Sequence, residues 1–233
     1  MSRIACIVLA AGLTTPALGL DLFASESLAA TAKSSAFSYD MDNSFSDADQ
    51  LDAITFAQMP LSVSSLADSM GGPGSASASM GGARSLNSVS MFGSALASAS
   101  GASDGGSGSD AVSEFEFTFT LAHAADYTLD WDMSAGGVVA SGSAEISLVG
   151  PGGLMVFAQT MDDFGSLGGQ SMGSLGAGAY TLHAKAVASA SGGPHGSDGM
   201  DASFDVSLSV VPGPGSMLTI GLAGLVASRR RRA

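Results

Sequence analysis

The sequence predicts an all-β protein built as an antiparallel β-sandwich, and three observations support this fold class. Residues 112–121 (VSEFEFTFTL) alternate strictly between apolar and polar side chains, which is typical of a strand with one buried face. Clusters of glycine, proline, serine and aspartate separate this run from several similar ones. The chain of 233 residues holds 32 glycines and few of the long side chains that favour amphipathic helices. A series of strands with one solvent-exposed face and no intervening helices therefore favours a fold of two packed antiparallel sheets.

The N-terminus has the three parts of a secretory signal peptide. Arg3 supplies a positive start, and residues 4–13 (IACIVLAAGL) supply an apolar run that is too short to span a bilayer. Ala17 and Gly19 place small residues where a signal peptidase reads the chain. We expect residues 1–19 to be this signal, with a buried first helix as the alternative. The single cysteine, Cys6, would leave with it, so the exported chain would have no disulfide and no cysteine metal site.

The charges are segregated along the chain. The net charge is −13, and all 21 acidic residues lie between Asp21 and Asp205, whereas most of the eight basic residues lie at the two ends. This distribution is typical of topology signals, which leave cations in the cytoplasm. The composition also argues against nucleic acid as a partner, because a polyanion requires a basic surface.

The body of the chain is divided into an arm and a sandwich. Residues 20–50 are interpreted as an acidic N-terminal arm, partly disordered, and residues 51–211 as the sandwich. The small-residue runs 75–79 and 85–100 are assigned to edge or outer strands, because serine and alanine bury little area. Clearer strands are predicted at residues 112–121, 127–133, 144–148, 154–159, 180–188 and 204–210. Trp131 alternates with Tyr127 and Leu129, which favours a core position over a glycan-stacking one.

An internal repeat is visible in this body. Residues 97–101 (ASASG) precede an acidic glycine-rich loop and then the strand of Phe115. Residues 188–192 (ASASG) precede a similar loop and then the strand of Phe204. We expect the two loops to occupy equivalent places, with coincidence in a low-complexity chain as the alternative.

The C-terminus contains three segments in a fixed order. Residues 212–214 (Pro-Gly-Pro) interrupt the last strand, because proline cannot continue a ladder of backbone hydrogen bonds. Residues 215–228 form an apolar segment that would be about 21 Å long as a helix, shorter than a hydrocarbon core of about 30 Å. Four arginines, residues 229–232, follow and would keep that end in the cytoplasm.

These residues resemble the PEP-CTERM sorting signal of Gram-negative and related bacteria. That signal consists of a proline-flanked tripeptide, a short apolar helix and a terminal arginine cluster. The resemblance implies recognition by an exosortase-type membrane protease, a temporary anchor in the inner membrane, and release or attachment at the cell surface near exopolysaccharide. Gly213 stands where the family signature has Glu, so cleavage is left open, and a plain membrane anchor is the alternative. The implied sorting motif comprises Pro212, Gly213, Pro214, Arg229, Arg230, Arg231 and Arg232.

The second half of the body also resembles bacterial pre-peptidase and carbohydrate-binding modules of jelly-roll type. The likeness spans residues 112–211 and rests on the order of the phenylalanine strand and three turn-containing segments. Those segments are residues 125–129 (ADYTL), 146–153 (ISLVGPGG) and 175–182 (LGAGAYTL). The resemblance implies a jelly-roll-like sandwich that adheres to surfaces or glycans.

The sequence offers little support for catalysis. Residues 169–173 (GQSMG) match the GxSxG pattern of a serine nucleophile, but they lack the flanking strand and helix that the motif requires. The three histidines, His123, His183 and His195, have neither zinc-ligand nor catalytic-triad spacing, and His183 and His195 are expected to be exposed.

Four aspartates are the candidate metal ligands. Asp104 and Asp110 share one acidic loop, and Asp198 and Asp201 share the other. Calcium takes about six to eight oxygen ligands from flexible loops, so a calcium site is one interpretation. The other interpretation is that these acids bind no metal and only keep a secreted protein soluble.

The sequence therefore favours a non-enzymatic cell-surface or extracellular-matrix protein with a structural or adhesive role. A calcium-assisted carbohydrate-binding module is the alternative, and a secreted hydrolase is the third hypothesis.

Overall fold

The computed structural model describes residues 22–103, 105–137, 141–162 and 164–213. These residues form strands joined by short turns and by two single-turn 3-10 helices, Phe56–Gln58 and Pro151–Gly153. The strands in chain order are β1 (Phe23–Tyr39), β2 (Ser44–Ala53), β3 (Leu61–Ala67), β4 (Gly74–Arg84), β5 (Ser88–Ser100), β6 (Gly106–Leu121), β7 (Ala125–Gly137), β8 (Ser141–Val149), β9 (Met155–Met161), β10 (Gly165–Leu175), β11 (Gly178–Gly192) and β12 (Ser197–Pro212).

The strands form two six-stranded antiparallel sheets. The first sheet has the order β2-β1-β6-β11-β8-β9, and the second has the order β10-β7-β12-β5-β4-β3. The sheets pack face to face, so that β6 lies across from β5 and β11 lies across from β12. The predicted antiparallel β-sandwich is confirmed.

Strands β5 to β12 have the connectivity of a jelly roll. Rolling up a long hairpin of eight strands pairs the first strand with the last and the second with the seventh, and so on inward. Here β5 pairs with β12, β6 with β11, β7 with β10 and β8 with β9. Two further ladders, β7 with β12 and β8 with β11, complete the two sheets. The jelly-roll-like expectation therefore holds at the level of strand order.

The interpretation of residues 20–50 as a partly disordered arm is wrong for the residues that the structure describes. β1 pairs with β6 along its whole length, and β2 pairs with the second half of β1. The inward positions of β1 include Leu28, Ala30, Ala32 and Ala36, all of which are buried. Their alternation is hard to recognise in sequence because most inward residues are alanine or serine, whose burial contributes little apolar area.

Small residues fill a thin part of the core rather than the edges. β4 and β5, which contain the two small-residue runs, lie inside the second sheet and not at its margin. Ala97 of β5 is completely buried between the sheets. Across the same gap, the Ser109 hydroxyl of β6 donates to the Ser98 carbonyl of β5 at 2.9 Å. The sheets approach so closely here that only small residues such as alanine, serine and glycine fit between them.

Aromatic side chains fill the thicker part of the core. The ring centroids of Phe117 and Phe119 are 5.7 Å apart, and Tyr180 of β11 continues the stack 5.6 Å from Phe119. Trp131 is half-buried, with its ring 5.6 Å from that of Phe157, so it packs against the core as predicted. The alternating run of β6 thus forms the centre of the sandwich.

The two ASASG repeats lead into adjacent connections. The β5–β6 connection crosses from the second sheet to the first, and the β11–β12 connection crosses back. The Gly101 amide donates to the Gly196 carbonyl at 2.8 Å, and the His195 amide donates to the Gly101 carbonyl at 3.1 Å. This geometry agrees with the expected equivalence, although both connections are shorter than the sequence suggested.

The predicted terminal signals fall largely outside the described residues. This applies to the whole signal peptide, residues 1–19, and to the sorting segment from Pro214 onward. Within the part of the chain that the structure describes, no helix has the length and apolar character needed to cross a membrane.

Candidate binding surface on the first sheet

The structure does not bring the predicted calcium ligands together. Asp104 lies outside the described residues. Asp110 lies on β6 in the first sheet, where it accepts a hydrogen bond of 2.5 Å from the Ser189 hydroxyl. Asp198 and Asp201 lie on β12 in the second sheet, within a strand rather than a loop. The described ranges contain no group of three or more acids, histidines or cysteines placed to hold a metal. The calcium site stays a prediction.

The sorting motif begins at the end of the folded domain. Pro212 is the last residue of β12 and lies opposite Ala125 of β7, so the strand ends one residue later than predicted. Proline is tolerated there because a missing N–H disturbs a ladder least at its end. Gly213 follows and is buried. Pro214 and the arginines at residues 229–232 lie outside the described residues.

The GxSxG match does not have the geometry of a nucleophile elbow. Residues 169–173 lie within the edge strand β10 and not at a strand-to-helix turn. The Ser171 hydroxyl is 3.1 Å from the Tyr127 hydroxyl, which is a structural hydrogen bond between neighbouring strands.

A cluster of four ionisable side chains, here called the charged cluster, crosses the outer face of the first sheet. Lys185 of β11 lies in register between Glu114 of β6 and Glu145 of β8. His183 Nε2 is 3.1 Å from Glu114 Oε1, and His183 Nδ1 is 3.8 Å from Glu145 Oε1. Lys185 Nζ is 3.3 Å from Glu114 Oε2. His183 is thus half-buried in this charged cluster rather than free in solvent as expected.

The charged cluster holds Glu114 in its ionised form. Partial burial alone would raise the pKa of Glu114, but the hydrogen bond from His183 and the positive charge of Lys185 outweigh burial and lower that pKa. An ionised carboxylate accepts hydrogen bonds but cannot donate a proton to a substrate. The cluster is therefore suited to cross-linking β6, β8 and β11 and to presenting fixed charges.

Two aromatic rings lie over glycines on the same outer face. Phe37 and Tyr39 of β1 are 46% and 49% exposed and lie opposite Gly108 and Gly106 of β6. A Cβ atom at Gly108 would lie 2.3 Å from Phe37 Cζ, and one at Gly106 would lie 2.9 Å from Tyr39 Oη. The end of each ring therefore reaches over the neighbouring strand to the position that a Cβ atom would occupy, and about half of each side chain stays exposed. We call Phe37 and Tyr39 the aromatic platform.

A shallow groove of about 360 Å³ adjoins the aromatic platform. Its lining includes Lys33, Ser35, Gln50 and Asp110. Ser35 and Asp110 are register partners, and this pair is the row next to that of Phe37. The surface thus places flat aromatic faces beside hydroxyl, amide, ammonium and carboxylate groups. An apolar surface with a few directed polar groups is suited to an amphiphilic ligand such as a sugar chain.

Sequence analysis missed the aromatic platform because its residues were assigned to the arm. A usable signal was present, since Phe37 and Tyr39 have the spacing of two residues that places side chains on one face of a strand. Gly106 and Gly108 have the same spacing. The pairing of these two runs depends on the register between β1 and β6, which a single strand's sequence does not contain.

Comparisons with known proteins add little. No family model matches the chain, and no curated protein matches it. Among solved structures, the chain is similar to the enzymatically active domain of tailspike protein 4 of bacteriophage CBA120, with 12% sequence identity and a TM-score of 0.22. The match covers 58% of this chain and 19% of the tailspike chain, so this protein spans about a fifth of that length. A TM-score of 0.22 is too low to support a shared fold or function. The fold of this chain therefore defines its class, which is an all-β sandwich of two sheets.

Proposed function

We propose that this chain is an exported cell-surface or matrix protein, structural or adhesive in role, sorted by a PEP-CTERM and exosortase-type system and associated with exopolysaccharide. The observation that carries the proposal is the composite C-terminus, in which Pro-Gly-Pro, an apolar segment and four arginines follow one another. The position of its first proline supports the proposal, because the motif starts where β12 ends. A protease acting beyond that point would leave both sheets intact.

Each part of the tail has a distinct task in this proposal. The arginines at residues 229–232 keep the end of the chain on the cytoplasmic side. The apolar segment holds the exported body at the inner membrane, where the protease meets it. Cleavage near the prolines then frees the acidic sandwich for the cell surface. No enzymatic activity is assigned to the sandwich itself.

Cell fractionation of tail variants tests the sorting proposal. In the native host, the wild-type chain is expected at the surface or in the medium. A chain with residues 229–232 changed to serine is expected to lose that location, because the stop signal at the cytoplasmic side is gone. A matched control changes four exposed serines of the sandwich to alanine and should sort normally. Surface delivery of the arginine-free chain at the wild-type level contradicts the proposal.

Carbohydrate binding is a second candidate function, and the aromatic platform favours it. Aromatic rings that reach over glycines offer apolar area, and the adjoining groove supplies polar partners. Calcium assistance is a separate part of this hypothesis. It predicts that the melting temperature rises with calcium and falls for Asp104→Ala or Asp198→Ala. An identical melting temperature in calcium and in EDTA would contradict calcium assistance. Glycan binding would then depend on the aromatic platform alone.

A further inference from the structure

The second sheet ends in a long strand that lacks protection against pairing. β10 is the terminal strand of that sheet, and its ladder within the described residues is with β7. It has the sequence GSLGGQSMGSL, eleven residues with neither a charge nor a proline. A terminal strand presents a row of unpaired N–H and C=O groups along its free side. β10 is therefore a template on which another strand can form hydrogen bonds.

The other sheet margins are either charged or shorter than β10. β2, at the margin of the first sheet, contains Asp47, Asp49 and Asp52. The Leu66 amide of β3 donates to Asp47 Oδ2 at 3.0 Å, so one acid of β2 also occupies the margin of the second sheet. β3 and β9 are short, with seven residues each. Short strands and charges are the usual means of protecting sheet edges, and β10 has neither.

Apolar side chains accompany the free backbone groups of β10. Leu167 and Met172 are 42% and 69% exposed, and Phe164, one residue before the strand, is 57% exposed. Burial of such side chains would add to backbone hydrogen bonding in any strand pair that forms here.

Three acids of β7 lie opposite β10, and two of them accept hydrogen bonds from it. Gln170 donates to Asp130 at 2.6 Å, and the Ser174 hydroxyl donates to Asp126 at 2.6 Å. Asp132, opposite Gly168, is the third, and all three lie on the outer face of β7, one strand in from the margin. The repulsion that a net charge of −13 imposes between two copies of the chain is therefore weak at this strand.

We propose that β10 is an association edge at which a second copy of this chain pairs through its own β10, antiparallel, to form one sheet that is continuous across two molecules. Such a pair is related by a two-fold axis, so the same uncharged strand serves both sides and no second surface is needed. A copy of the chain is the occupant to which we commit, because this uncharged strand can pair with itself, whereas the net charge of −13 opposes contact between copies elsewhere. The inference rests on the proposed structural role, since a matrix protein must associate with itself.

The test measures self-association of the full-length chain in a mild detergent. Sedimentation over a concentration series is expected to show a monomer–dimer equilibrium. Hydrogen exchange of the same samples is expected to show that the amides of residues 165–175 become more protected as the protein concentration rises. The double variant Leu167→Lys/Met172→Lys should raise the dissociation constant at least about tenfold, because charges at an edge oppose pairing. The matched control Leu66→Lys/Leu96→Lys changes exposed leucines of the same sheet away from β10 and should leave the constant unchanged.

Several results would overturn the association edge. These are a wild-type chain that stays monomeric at every concentration, equal weakening by both double variants, or concentration-dependent protection outside β10. The exchange measurement uses the wild-type chain, so it decides the matter even if a variant fails to fold. Sorting is scored separately, because a dimer that is not exported refutes the proposed function, whereas an exported monomer refutes the association edge.

Discussion

At the scale of single residues, two glycines of β6 determine how the surface of the first sheet is presented. Without a Cβ at Gly106 and Gly108, the rings of Tyr39 and Phe37 lie across the strand instead of standing up from it. Phe92 has the same arrangement on the opposite sheet, where a Cβ at Gly81 would lie 2.4 Å from Phe92 Cζ. These aromatic–glycine pairs cover backbone that glycine would otherwise expose.

Replacing the aromatic platform should reduce glycan binding. We expect Phe37→Ala or Tyr39→Ala to weaken binding to exopolysaccharide from the producing cells about tenfold, a loss of about 1.4 kcal/mol for one stacked ring. Phe92→Ala is the matched control, because it removes an equally exposed ring from the second sheet. Titration calorimetry measures the affinities. Unchanged binding by both platform variants, or an equal loss in the control, contradicts this role.

The lowered pKa of Glu114 makes a small part of the stability depend on pH. His183 and Lys185 on β11 stabilise the charged form of Glu114 in the folded state, whereas Glu145 on β8 lies on the other side of His183. A group with a depressed folded pKa contributes stability that is present above its unfolded pKa and is lost as pH falls through the folded value.

We therefore expect wild type to exceed Glu114→Gln in stability at pH 7, by less than about 1 kcal/mol because the pair is partly exposed. The difference should shrink as pH falls below about 4, where the carboxylate becomes protonated. Urea unfolding at several pH values measures it, with the exposed Glu116→Gln as the control. A difference that grows in acid would refute the assigned cause.

At the scale of strands, side-chain size decided what the sequence could reveal. The large alternating residues of β6 and β12 predicted half-buried strands correctly. β1 was missed because most of its inward residues are alanine or serine, and β4 and β5 were placed at edges for the same reason. β2 was missed because it is exposed along almost its whole length and has no buried face. The register between strands could not be predicted either, since it depends on which strands pair.

Six serines that are far apart in the sequence, for example, become register partners in one row across the second sheet. They are Ser62, Ser79, Ser94, Ser203, Ser134 and Ser166.

The thin part of the core should not accept a larger residue. Ala97→Leu would force extra volume between two closely packed sheets, and we expect it to lower the free energy of unfolding by about 1–3 kcal/mol. Ser90→Leu, on the exposed face of the same strand, is the control and should change stability by less than about 0.5 kcal/mol. Denaturant unfolding measures both. Equal stability of Ala97→Leu and wild type would mean that the sheets can separate there.

At the scale of the whole molecule, an acidic sandwich lies between two terminal segments that we interpret as an export signal and a sorting signal. The sandwich was predictable because alternation and turn residues report on local structure. The binding surface and the association edge were not, because both depend on which strands become neighbours. The two terminal signals stay predictions, and they depend on the order of the segments within each terminus.

Under the proposed sorting function, an acidic residue at position 213 should improve processing of the tail. We expect Gly213→Glu to increase the fraction of chain that is cut, because the exosortase signature has Glu at this position. A Cβ atom at this position would lie 3.4 Å from the Ala124 carbonyl oxygen, which is an ordinary contact. Gly213→Gln is the control for size without charge. Immunoblots of cut and uncut chain measure the effect, and equal processing of all three forms would contradict a role for the carboxylate.

The intact mass of the protein recovered from the surface of its native cells decides whether both terminal segments are removed during export. We expect a chain that begins at residue 20 and ends near Pro212–Pro214, without the terminal arginines. A full-length chain of 22.9 kDa found uncut in the cytosol would contradict this expectation.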